Sequence, residues 1–397
     1  MSEAAGENSQ RLRDWLDSGI PALTGYTDGP PLIPPGAAAS TARRHTDRIA
    51  ATTGGRVRLD GARLLSERAA FTGSRRGGTI SAGRHCRLLP TADGWAAVSC
   101  ARPDDPVLLG ALVCADIGDD PWPAVADWLQ THTGAELAER AELLGLAAGP
   151  IDTVPAEVPE PLVARPVTGL RVVDFSALWA GPLCAHLLGL AGARVIKVET
   201  PARPDGARRG DPEFYRLLHG GHESVVLDPG VDRQRRALHE LVESADIVIE
   251  ASRPRALAGF GLDAAEFAGS GGTWISITAH GRASNRIGFG DDIAATAGLV
   301  ARAGGNAPLF VGDAIADPLT GLTAAVLAMS APADGSGRLW DIAMSAVIAA
   351  TLDHGSTTVP VDDSAVRAPG RREPRGVAAE SGRDTAAVLA ELGVRSG

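Results

Sequence analysis

With 397 residues, of which 44% are hydrophobic and 22% charged, the chain can bury a sizeable core in two or three domains and has the make-up of an ordinary globular protein. A net charge of −10 argues against a general nucleic-acid binder, though not against a local basic pocket. The opening residues are polar and acidic, which does not suit a signal peptide, and the longest apolar run, Leu322 to Ala331, is too short to span a bilayer. Cys86, Cys100, Cys114 and Cys184 show no C-x-x-C spacing and read as small buried residues in a reducing compartment. A cytoplasmic protein with no membrane or nucleic-acid partner is expected.

Residues 1–10 read as a disordered tail. Residues 11–70 hold two helical segments around the proline-rich stretch Pro30 to Pro35. Residues 71–150 read as a small α+β domain: a glycine-rich stretch, a strand-turn-strand pattern through residues 92–100, then helices at 122–130 and 134–145. Residues 151–167 are proline-rich with little periodicity and read as a linker. From residue 168 to about 350 strands and helices alternate. Strands are expected at 170–175, 194–198, 224–228, 246–250 and 274–278, with a helix at 231–244 and another starting at Asp317. This alternation predicts an α/β fold, a Rossmann-like parallel sheet covered on both faces. Residues 351–397 form a tail with a short helix at 385–392.

Within this, Gly169 to Pro201 reads as strand, tight turn, helix, strand. Ala180-Gly181-Pro182 breaks the first strand, and Pro182 suits a first helical turn. Such a start places helix N–H groups at the carboxyl end of a parallel sheet, where phosphorylated ligands bind. The turn has no G-x-G-x-x-G, which disfavours a dinucleotide. His132, His186, His239 and His280 show no metal spacing, so no metal is expected. Asp317, followed by Pro318 and an apolar helical run, fits a helix N-cap on local sequence.

The AGP turn, followed by a helix and then GARVIKVETP, resembles the opening of class III CoA-transferases, the family of formyl-CoA and carnitine CoA-transferases and α-methylacyl-CoA racemase. The resemblance continues through SVVLDPG, ADIVIEASRP, ISITAHG, GDDIAATAG, DAIADPLTGLTAAVLAM and GRLWDIAM, in family order over about 230 residues. The small domain resembles one that follows the large domain in ordinary members; here it precedes it. Ser18 to Ser40 also resembles Ala297 to Asp317, as a worn partial repeat that sets Ser40 opposite Asp317, and GGRVRLD from Gly54 parallels SGRLWD from Ser336.

The resemblance implies an enzyme that moves CoA from an acyl-CoA to a carboxylic acid, with Asp317 as the nucleophile through an aspartyl anhydride and an aspartyl-CoA thioester. It implies no permanently bound cofactor, coenzyme A as substrate, and a homodimer. Leu178, Trp179, Ala180 and Gly181 would line the CoA site, Leu227 and Arg253 would touch CoA, and Gly77 and Gly78 would form a glycine-rich lid. The family's N-K-R is here HGGHES, its LDLK is LDPG and its ENFRP is EASRP; Arg203, Arg208 and Arg209 are candidates to supply the basic groups that these stretches lack. Asp313 reads as a solvated turn residue. Two other functions stay open: an acyl-CoA racemase acting by α-proton transfer, for which Asp291 stands where the family has a histidine, and a non-catalytic CoA-binding or scaffold subunit.

Overall fold

The computed structural model describes residues 2–118, 120–152, 154–252, 254–304, 307–353 and 357–393. Its centre is a six-stranded, fully parallel sheet: β1 (Arg171–Asp174), β2 (Arg194–Glu199), β3 (Glu223–Val226), β4 (Ile247–Glu250), β5 (Thr273–Thr278) and β6 (Arg338–Ala343). The spatial order is β3-β2-β1-β4-β5-β6, the doubly wound arrangement. The five expected strands are all present; β6 is an addition whose alternating burial hid it.

Both faces of the sheet are covered. Val172, Ile247, Ile249 and Ile275 enter one apolar cluster with helices Ala38–Thr52, Ala180–Leu190 and Ala316–Ala328. Val173, Ile196, Val225, Val248 and Trp274 enter a second cluster with helices Asp232–Glu243 and Thr385–Glu391. This two-sided burial explains why the central strands read as near-continuous apolar runs. Among the described residues, no helix is long and apolar enough to cross a membrane.

The chain before residue 73 does not stand apart. The stretch expected as a disordered tail lies in a helix, Ser2–Ser18, whose Trp15 is buried and donates to the Gly36 carbonyl at 2.9 Å. Trp15, Ile49, Leu64 and Leu65 belong to the same core as the helices that start and follow the sheet. Residues 86–90, 95–99 and 148–150 form a small antiparallel sheet covered by helices Asp105–Val113, Trp122–Leu129 and Gly134–Leu144. That sheet meets the large domain through Ala97, Ala295, Val300 and Phe310. In the proline-rich segment, Val163–Ala164 pairs with Ser330–Ala331. Of the four cysteines, Cys86 and Cys184 are buried, whereas Cys114 is exposed, against the expectation.

Two helices cross closely above the sheet. A Cβ on Gly321 would stand 2.5 Å from the Ala180 carbonyl oxygen, so only glycine lets helix Ala316–Ala328 approach the start of helix Ala180–Leu190. Gly321→Ala is expected to destabilise the protein by about 1–3 kcal/mol through overpacking. Urea unfolding measures this, and an unchanged midpoint would contradict the close crossing.

Candidate active site

The site forms where these two helices begin. After β1 the chain turns through Leu178, which is 44% exposed and holds φ 69°, outside the usual range for a branched side chain. That turn is held from below: Asp205 accepts from the Leu178 N–H at 3.0 Å and from the Ala207 N–H at 2.9 Å. Asp205 is itself paired at 3.0 Å with Lys197, the chain's only lysine, which is 2% exposed. Burial pushes the Asp205 carboxyl up, but Lys197 and the two N–H groups outweigh it and bring it below its ordinary value.

Helix Ala180–Leu190 has no side-chain cap of its own at Trp179. The carboxylate of Asp317 faces this helix start, where the Ala180 N–H helps to favour its ionised form. Asp317 is not the N-cap of its own helix, as local sequence suggested. It is the second residue of helix Ala316–Ala328, whose N-cap is Ile315. Gly290 makes room for it, since a Cβ there would meet the Asp317 Oδ2 at 2.2 Å and Ala314 at 2.6 Å.

Three more carboxylates surround Asp317. Asp291 accepts from the Ala314 N–H at 2.8 Å and has Ser81 beside it, Asp292 caps its own helix through the Phe289 N–H at 3.0 Å, and Asp313 is fully buried. The expectation of a solvated Asp313 is thus overturned; Arg68 holds it through its Nε at 2.9 Å and through a second, closer bond from Nη2. Arg68 also lies over the Trp179 ring, 5.2 Å from its centroid. Burial opposes the charge on Arg68, but Asp313, Asp291 and Asp317 keep it ionised. Desolvation pushes the Asp317 carboxyl up to about 7; Arg68 lowers it, Asp291 and Asp313 raise it, and the Ala180 N–H lowers it again. Burial and Asp313 raise Asp291 as well.

The other expected site residues are placed as follows. Trp179 is core, edge-on to Phe214 at 5.4 Å. Gly181 packs on Ser176, where a Cβ would sit 2.1 Å away. Leu227 is buried in the second core, with its N–H given to the Glu199 carbonyl, so it offers no free side chain to a ligand. Gly77 and Gly78 lie against Ile80 and Tyr26, with Gly78 hydrogen-bonded to Gly25 and Phe310. The members of that stretch seen at the carboxylates are Ser81, on Asp291, and Gly83, beside Arg68 and Asp313. Arg208 is committed to Glu199. Ser40, the repeat's counterpart of Asp317, donates to Asp14 at 2.6 Å. Arg253 lies outside the described residues. Sequence reading missed Arg68; its only signal was a position in the worn repeat segment.

A raised Asp317 means that folding favours the protonated acid. The contribution of this group to stability is then greatest below the unfolded value, near pH 4, and falls as pH rises toward 7. Asp317→Asn is expected to match the native protein in melting temperature at pH 4 and to gain on the order of 1–2 kcal/mol at pH 8. Equal stability at pH 8 would mean that the carboxyl is not held against ionisation.

Comparison with known proteins matches the family model CoA-transferase family III to residues 167–381, more than half of the chain. Succinyl-CoA–D-citramalate CoA-transferase of Chloroflexus aurantiacus is 29% identical over 207 residues, covering 48% of this chain and 52% of that protein. Succinate–glutarate CoA-transferase of Agrobacterium fabrum is 29% identical over 211 residues, covering 47% and 53%. A CAIB/BAIF family protein from Brucella suis, of known structure, is 28% identical with a TM-score of 0.42, covering 47% and 55%. The chain spans about half the length of the curated relatives it matches.

Proposed function

Because the chain belongs to CoA-transferase family III, we propose that it moves CoA from an acyl-CoA to a carboxylic acid, with Asp317 as the nucleophile. The observation that carries this reading is the Asp317 carboxylate facing the start of helix Ala180–Leu190, with room left for it by Gly290. A helix N-terminus favours the ionised form that attack requires. Burial and two neighbouring carboxylates oppose it, which sets the group near neutrality, where it is both substantially ionised and more basic than a free aspartate.

The chemistry follows from that carboxylate. Asp317 attacks the thioester carbonyl; an aspartyl anhydride forms and CoA thiolate leaves. The thiolate then attacks the aspartyl carbonyl, giving an aspartyl-CoA thioester and releasing the donor acid. The acceptor carboxylate attacks that thioester, a second anhydride forms, and the returning thiolate takes the acceptor acyl group and frees Asp317. Each step exchanges one acyl bond for another, so no ATP is required. Water must be kept out, or the intermediates hydrolyse; Ser81 and Gly83 closing over Asp291 and Asp313 serve that purpose. Leu178 to Gly181 would line the CoA side through turn backbone, Leu178 being the exposed member. Arg209, close to Gly206 beneath Leu178, is the loop arginine best placed for a CoA phosphate. We also propose a homodimer as the working form.

Incubation with a panel of acyl-CoAs followed by hydroxylamine or borohydride should leave an adduct on Asp317, read by peptide mass spectrometry. The rate of adduct formation should rise with pH through about 7, because the nucleophile is the ionised form. Asp317→Ala should abolish both adduct and transfer. An unlabelled Asp317 across the panel, together with full activity in Asp317→Ala, would remove the assignment. Solvent deuterium entering the α-carbon without any acceptor would move it to α-proton transfer.

A further inference from the structure

We propose that Arg68 is a positioning residue for the candidate nucleophile, and that the C-terminal segment around Arg372 sets Arg68 in place by gripping its neighbour Glu67. The inference rests on the reading of Asp317 as the reactive carboxylate and assigns part of the site to chain that lies outside the matched family region on its N-terminal side.

Glu67 and Arg68 open the short helix Glu67–Thr72 and face different partners. Glu67 is buried. It accepts from the Arg372 backbone N–H at 3.0 Å, from its Nε at 2.8 Å and from its Nη2 at 2.7 Å. The remaining Arg372 nitrogen, Nη1, meets His186 Nε2 on helix Ala180–Leu190 at 3.0 Å. Burial and the adjacent Arg372 hold His186 well below its ordinary value, so the ring is neutral and accepts. The segment continues onto β3: Gly221 donates to the Val377 carbonyl, and Asp384 accepts from Ser224 at 2.8 Å. It thus straps the helix carrying Arg68 to the sheet.

Arg68 in turn touches both turns that start the crossing helices. Its fork holds Asp313, which precedes Ala314, a residue at φ 49° whose N–H is fixed by Asp291. Its flat face covers Trp179, which precedes Ala180. One guanidinium therefore ties the turn before Asp317 to the turn that opens the facing helix. A lysine has no such fork or flat face. The charged groups facing Asp317 are Arg68, Asp313 from its own turn, and Asp291 and Asp292 from helix Gly290–Thr296. From helix Ala180–Leu190 it meets the Ala180 N–H; Cys184 and His186 lie deeper along that helix, and His45 of helix Ala38–Thr52 meets Thr323 instead.

The test is a pH titration of the Asp317 carboxyl by NMR, in protein carrying carboxyl-labelled aspartate, with Asp317→Asn identifying the resonance. The variant Arg68→Met/Asp313→Asn removes both partners of the buried pair and so avoids an orphaned charge. Because Arg68 acts more strongly on Asp317 than Asp313 does, the midpoint should rise, by about one unit. Arg68→Lys should restore part of the native midpoint. Glu67→Gln/Arg372→Met, remote from the carboxylates, should move the midpoint in the same direction by less. An unchanged midpoint in the first variant overturns the role of Arg68, and one in the last overturns the role of the strap. Neither readout uses acyl-CoA, so a failure of this inference is told apart from a failure of labelling at Asp317, and would leave the labelling result standing.

Discussion

Two helix starts meet through one carboxylate, and the rest of the site is arranged around that contact. Asp317 sits in the first turn of one helix and faces the first residue of another. The contact needs three absences of a side chain. Gly321 lets the helix backbones close, Gly290 leaves room for the carboxylate, and Gly181 lets the facing helix settle on Ser176, just beyond β1. The doubly wound sheet supplies the frame, because β1 lies at the switch point beside β4 and its carboxyl end is where such sheets open to ligands.

Charge is buried twice near this point, with different outcomes. Beneath Leu178, Lys197 and Asp205 are paired and Asp205 is held ionised, which secures a turn at an unfavourable φ. Around Asp317, Arg68 is shared with Asp313 and Asp291, and burial pushes the Asp317 carboxyl up to about 7. The first arrangement is a rigid support. The second leaves a carboxylate poised between its two protonation states, which is what a nucleophile working near neutral pH requires.

The parallel sheet could be read from sequence because strands buried on both faces leave unbroken apolar runs, as in Ile247–Glu250. β6 was not read, since Arg338, Asp341 and the intervening apolar residues alternate as at a sheet edge. Asp317 was singled out through motif order, while the helix start it faces was not, because a contact across 137 positions leaves no local pattern. Asp313 and Arg68 were misjudged or missed for the same reason: each looks like a solvated loop or helix residue until the other, 245 positions away, is set against it. The opening helix read as disordered because its first residues are polar or small, and its anchors, Trp15 on Gly36 and Asp14 on Ser40, lie beyond them.

The central claim is that Asp317 forms and breaks an acyl bond in every turnover. If it does, the aspartate must exchange an oxygen with the acceptor, since the second anhydride is opened at the acceptor carbonyl. Turnover with an acceptor acid labelled with heavy oxygen in its carboxylate, followed by digestion and mass spectrometry, reads this directly. The account predicts one heavy oxygen in the peptide carrying Asp317 after a single turnover, and up to two after many. CoA transfer at full rate with no label in that peptide would contradict it.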